Sequence, residues 1–138
     1  MAVITPTLNF GGQCEEAIAL YSSAFGTEPA FIMRYSERNR EDYPKELTPE
    51  QESFVYHAEM FIGGQRIMMC DNIDVPFVTS YACFLTVTFD TDEEVKSAFD
   101  ALSEGGSIIY PLAKTTYSSC RGVLVDRYGF RWGLMTEN

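Results

Sequence analysis

The chain has 138 residues, 46% of them hydrophobic and 14% aromatic, which suffices to bury the core of one domain of ordinary size. Twenty acidic against ten basic side chains give a formal net charge of −10, which repels phosphate backbones and anionic membrane surfaces and argues against nucleic acid or membrane as partner. No apolar run reaches the ~20 residues of a membrane helix. The start MAVITPTLNF lacks the order of a secretory leader, and Cys14, Cys70, Cys83 and Cys120 stand far apart with no C-x-x-C pair. The expectation is a reduced, cytoplasmic protein.

In chain order, TLNF (7–10) alternates like a strand, and Cys14, Ala17, Ile18, Tyr21 and Phe25 form the stripe of an amphipathic helix that Gly26 ends. Strand material follows in AFIMRY (30–35), in SFVYHAEMFI (53–62) and, past a Gly63-Gly64 hairpin signal, in QRIMMC (65–70). The series then repeats at an offset of about 80 residues. FLTVTF (84–89) alternates, Thr91 and Glu94 suit a capping box, and Val95, Ala98, Phe99 and Leu102 mark a second helix. SIIY (107–110), CRGVLV (120–125) and FRWGLM (130–135) complete it, with a turn at 126–129.

Each half therefore reads β-α-β-β-β, module one over about 1–71 and module two over about 82–138, joined by a linker at 72–81 within a single domain. The fold class is α+β, with helices covering one face of a curved mixed sheet and the other face walling a cavity. SERNREDYPKELTPEQE (36–52) is polar and too long for a simple connector, so it reads as either a mobile lid or a disordered insertion. The linker exposes Phe77 and Tyr81, which suits the cavity mouth or a second subunit.

Three runs carry a resemblance: NFGGQCEEAIALYSSAFG (9–26), HAEMFIGGQRIMMCD (57–71) and VDRYGFRWGL (125–134). Their order and spacing resemble the PhnB-like family of the vicinal oxygen chelate superfamily, which includes glyoxalase I, bleomycin-resistance proteins and extradiol dioxygenases. The resemblance implies paired βαβββ modules around a cup-shaped cavity, usually in a homodimer. Some family members are described as ubiquinone-pathway methyltransferases, but this chain has no Gly-rich strand-to-helix turn followed by an acidic residue to hold a nucleotide-like cofactor, so methyl transfer is not expected. Where such members tend to carry Phe-Trp before the penultimate strand, this chain has Thr116-Tyr117.

Strand parity sorts the candidate site residues. In 54–62, Phe54, Tyr56, Ala58, Met60 and Ile62 should pack under a helix, leaving Val55, His57, Glu59 and Phe61 on the cavity side. The same alternation sends Asn9, Thr86 and Thr88 to the cavity, with Met68 and Cys70 beside them, while Arg131 opposes the set Phe130, Trp132 and Leu134. Metal-dependent members of the superfamily place His or Glu ligands on the first and last strands of each module. Here those strands offer Asn9, Thr88, Met68 or Cys70, and no carboxylate or histidine in FRWGLM, so no metal is expected from the resemblance. From the residues alone, His57, Glu59 and Cys70 could form a metal site on one hairpin, and His57 with Glu59 a catalytic acid–base pair. Asp71 and Asp126 stand where strands end in turns, a place aspartate favours by bonding its own backbone.

Two functions follow as expectations, and whether the protein is an enzyme stays open. The leading one is a PhnB-like small-molecule-binding protein, its ligand met by Asn9, His57, Glu59, Met68, Cys70, Thr86, Thr88, Tyr117 and Arg131. The alternative is a metal-dependent isomerase, lyase or dioxygenase in which His57 and Glu59 hold a divalent ion.

Overall fold

A computed structural model describes residues 1–137 of the protein. The described residues divide into two compact units, residues 1–22 with 26–77, and residues 23–25 with those from 78 onward.

The first unit holds β1 (Thr7–Phe10), α1 (Cys14–Phe25) apart from its last three residues, β2 (Pro29–Arg34), a short α2 (Pro49–Glu52), β3 (Val55–Ile62) and β4 (Gln65–Asp71). Its four strands lie in the order β1-β4-β3-β2, with β1 parallel to β4 and the remaining pairs antiparallel. The second unit repeats the plan with β5 (Leu85–Phe89), α3 (Asp92–Ser103), β6 (Ser107–Ala113), β7 (Arg121–Val125) and β8 (Arg131–Thr136). Its order is β5-β8-β7-β6, again with one parallel pair, β5 with β8. Each half is thus βαβββ with its own four-stranded mixed sheet, and the protein is α+β.

Local chemistry accounts for these boundaries. Gly26 ends α1 in the left-handed conformation at φ 64°, where its N–H donates to the Ser22 carbonyl. Gly63 and Gly64 both have positive φ, 56° and 83°, which a two-residue hairpin turn requires and other residues resist. Thr91 caps α3 by accepting the Glu94 N–H. Residue Gln13 makes no such side-chain cap for α1. Asp71 supplies it instead, from the end of β4: its Oδ1 accepts the N–H groups of Gly12 and Cys14, and its Oδ2 accepts that of Val55.

That cap also identifies the faces of the first sheet. Asp71 lies at the start of α1, and Leu8, Phe10, Ala58, Met60, Ile67 and Met69, on the same parity, are buried at 8% exposure or less. The stripe Cys14, Ala17, Ile18 and Tyr21 is buried as well. Burying each large member of this set stabilises the fold by roughly 1.5–3 kcal/mol. In the second unit Phe99 of α3 lies against Gly122 of β7, and Trp132, Leu134 and Leu124 are buried on that side.

Three local expectations are corrected. Val55, expected on the face of His57, is buried, because the β2–β3 pairing slips between Met33–His57 and Arg34–Val55 and the extra residue reverses the parity. The segment 36–52 is folded: a 3₁₀ turn at Tyr35–Glu37 is followed by an Arg38 side chain that donates to the carbonyls of Tyr35, Tyr43 and Lys45 and to Glu52. Asp71 is a helix cap reaching across the unit rather than a turn residue. Asp126 does bond its own backbone, at Tyr128 and Phe130, and also accepts the Trp132 indole N–H.

Candidate functional site: the open sheet faces

On the first sheet, the face turned away from Asp71 carries one row of Asn9, Cys70, His57 and Met33 and a second of Thr7, Met68, Glu59 and Phe31, as the strand registers dictate. Phe31 and Phe61 remain exposed there, and His57 is half-exposed with its ring 6.1 Å from that of Phe31. No helix residue takes a place in these rows.

Three of the polar side chains form a relay. Arg66 grips Glu59 with two hydrogen bonds, Nε to Oε1 at 2.8 Å and Nη2 to Oε2 at 2.7 Å. His57 Nε2 lies 2.7 Å from the same Oε2. The Arg66 guanidinium, and after it His57, holds the Glu59 carboxyl down at about 2, well below the usual carboxylate range. An ionised carboxylate only accepts, so Nε2 of His57 carries the hydrogen and, in the neutral ring, Nδ1 keeps its lone pair. The relay therefore fixes the imidazole and leaves one ring nitrogen as an acceptor or base toward whatever approaches the face.

Beside it, the Cys70 thiol donates to Asn9 Oδ1 at 3.0 Å. Burial, and then the charge of Asp71, push that thiol up from its ordinary value, so it stays protonated and a weak nucleophile. Burial drives Cys14 further in the same direction. All four cysteines are free.

The donor chemistry does not suit a divalent ion. Glu59 is already neutralised by Arg66, the Cys70 thiol is not a thiolate, Asn9 offers an amide oxygen engaged by that thiol, and Thr88 offers a hydroxyl. Among the described residues no group of three or more His, Cys, Asp or Glu is arranged to hold a metal.

On the second sheet, Thr86 and Thr88 are exposed on the face opposite Trp132 and Leu134, and Arg131 shares it. The Arg131 guanidinium carbon stands 4.8 Å from the Phe84 ring centroid and 5.4 Å from that of Tyr81, and its Nη1 donates to the Tyr81 carbonyl. Tyr117, in the loop before β7, is exposed and takes the Arg121 guanidinium over its ring. Trp132 is a core residue, 1% exposed, and makes no part of the face.

Strand parity thus anticipated His57 with Glu59, Asn9 with Cys70, and the two threonines with Arg131. Arg66 was missed. The Gly63-Gly64 turn sets Phe61 opposite Arg66, which puts Arg66 diagonal to Glu59, so the hairpin register contained the signal.

Among the described residues no helix is long and apolar enough to cross a membrane. Protein YjdN of Escherichia coli is 30% identical over 136 residues, covering 94% of this chain and 91% of that protein. The crystal structure of protein PA1353 from Pseudomonas aeruginosa matches at TM-score 0.84 and 28% identity, covering 99% of this chain and 98% of that one. A PhnB protein from Bacillus cereus, provisionally described as a 3-demethylubiquinone-9 3-methyltransferase, matches at TM-score 0.80 and 34% identity over 98% and 99% of the two chains. The fosfomycin resistance protein FosX of Listeria monocytogenes shares the fold alone, at TM-score 0.66 and 12% identity over 99% or more of this chain and 94% of that one. The family model described as 3-demethylubiquinone-9 3-methyltransferase matches residues 2–135, a description at odds with the expectation of no methyl transfer. With nearly its whole length matched, the chain belongs to that family, the PhnB-like branch of the vicinal oxygen chelate fold.

Proposed function

We propose that this PhnB-like protein binds a small molecule on its open sheet faces without the help of a metal, its two units serving as one functional domain. The observation that carries the reading is the Arg66–Glu59–His57 relay, which immobilises an imidazole on an uncovered sheet face and leaves one nitrogen free to meet a ligand. The surroundings support it: Phe31, Phe61 and Met68 supply apolar surface around a few fixed polar groups, Asn9, Cys70 and His57, the mixture that small-molecule sites use. On the second sheet Thr86, Thr88 and Arg131, with Tyr117 nearby in sequence to β7, offer polar groups on a face of their own. The metal-dependent isomerase, lyase or dioxygenase reading is the weaker one, because it needs Glu59 as a ligand and Arg66 already holds that carboxylate with two hydrogen bonds.

A thermal-shift screen tests the proposal, with phenols, quinones, phosphonates, small acids and antibiotics at millimolar concentration and S-adenosylmethionine as the control for the methyltransferase description. A ligand at a hundredfold its Kd stabilises the native state by about 2.7 kcal/mol, a shift of several degrees for a protein of this size. We expect at least one hit whose affinity falls about tenfold in His57→Ala, and no shift with S-adenosylmethionine. No hit across the panel, or a shift with S-adenosylmethionine alone, overturns the proposal.

The reading extends to a homodimer in the cytoplasm. Exposed Ile108 and Tyr110 on the edge strand β6, and exposed Val75, Val78 and Tyr81 in the connecting segment, support self-association, and four free thiols suit a reducing compartment. Light scattering at micromolar concentration should give twice the chain mass; a monomer contradicts it.

A further inference from the structure

We infer that Arg131 is an anion grip on the open face of the second sheet, taking a small molecule that carries a carboxylate beside a flat apolar body. The inference deepens the proposed function and rests on it.

Arg131 is immobilised before any ligand arrives. Its guanidinium lies against the rings of Phe84 and Tyr81, and Nη1 is tied to the Tyr81 carbonyl at 3.2 Å. Gly133 makes the arrangement possible. A Cβ there would stand 3.0 Å from the Phe84 ring and 3.1 Å from Thr86 Oγ1, so only the bare backbone lets that ring lie so close to β8. Two aromatic faces and a carbonyl thus hold the cation in one orientation, and a fixed guanidinium loses little further freedom when it binds.

What the guanidinium lacks is a counter-ion. Arg34, Arg38, Arg40, Lys45 and Arg66 each reach a carboxylate within 4.0 Å, whereas among the described residues Arg131 reaches none; Lys96, Lys114, Arg121 and Arg127 share that lack, but Arg131 alone adds a buried side-chain nitrogen with no partner. Its Nε is buried and has no acceptor. A half-buried cation without an anion is costly, and cation–π contacts offset only part of that cost. Because Nε is enclosed, the terminal edge of the guanidinium is what an incoming anion meets.

The chemistry selects the class. One guanidinium edge offers a single charge and a pair of donors, which matches a carboxylate. A dianionic phosphate or phosphonate asks for more positive charge, against the repulsion of a chain at −10. Thr86 and Thr88 add neutral hydroxyls on the same face, and the Tyr81 and Phe84 rings favour a planar body.

The test compares benzoate, its neutral isostere benzamide, and phenylphosphonate, by calorimetry on the native protein and on Arg131→Gln. Benzoate should bind at least about tenfold more tightly than benzamide and better than phenylphosphonate, and Arg131→Gln should bring benzoate down to the level of benzamide while leaving benzamide unchanged. Equal binding of acid and amide by the native protein, stronger binding of the phosphonate, or a variant that keeps its preference for the acid each overturn the inference. Should Arg131→Gln fail to fold, Arg131→Lys and the comparison on native protein decide. Neutral hits in the wider screen without preference for acids defeat the anion grip and leave the proposed function standing; no hit of any kind defeats both.

Discussion

Asp71 shows how much a single side chain does in this fold, and how little of it could be read from its neighbours. One buried carboxylate, 1% exposed, closes the N-terminus of α1 and pins the start of β3 through three backbone donors. In sequence it looked like a strand-end aspartate bonding its own turn, because its partners stand 16 to 59 residues away. Replacing it with alanine strands those amides in a dry site at about 1–3 kcal/mol each before relaxation, so Asp71→Ala should cost about 3–5 kcal/mol and lower Tm by roughly 10 °C in calorimetry. Asp71→Asn, which keeps one acceptor, should cost less. Glu59 makes a different prediction. Its folded carboxyl titrates at about 2, below the unfolded value, so its contribution to stability is complete above about pH 5 and is lost as pH falls through the folded value. Urea midpoints measured from pH 6 to pH 2 should fall less steeply in Glu59→Gln than in the native chain. An unchanged profile contradicts the relay.

At the level of elements, the eight strands and two long helices were legible because each buries one face, and the period of 2 or 3.6 is written in its own residues; that the strands form two four-stranded sheets rather than one curved sheet was not. β1, α1 and β4 fall within a residue of where the pattern put them. What failed did so where the cause lay on another element. The bulge that buries Val55 belongs to the pairing with β2, not to β3 itself. The polar run 36–52 looked solvated because nothing in its composition singles out Arg38 from its neighbours, yet Arg38 is 6% exposed and holds three carbonyls. Arg38→Ala should therefore release that segment, raising hydrogen exchange and proteolysis in 36–48 with little change in β3 and β4. Retained protection there would show that the loop folds without it. The packing of α3 on β7 depends on Gly122 in the same way: an added Cβ would lie 2.6 Å from the Phe99 ring and 2.8 Å from Leu112, so Gly122→Ala should destabilise by about 1–3 kcal/mol in chemical unfolding.

For the whole molecule, duplication explains both the economy of the sequence and the division of labour between the halves. The two βαβββ units share strand order and parity but differ in what their open faces offer, an acceptor nitrogen held by a carboxylate in the first and an arginine stacked on two aromatic rings in the second. Parity placed Asn9, His57, Glu59, Thr86 and Thr88 on these faces, though it misplaced Val55. It could not reveal how they are held, because Arg66, Tyr81 and Phe84 act through side-chain geometry that has no period. Backbone amide chemical-shift mapping, with the tightest-binding compound from the screen, addresses the claim most directly. Saturable shifts should concentrate at Asn9, His57, Glu59 and Cys70 or at Thr86, Thr88 and Arg131. Shifts confined to the outer surfaces of α1 and α3, or none at millimolar ligand, would contradict it.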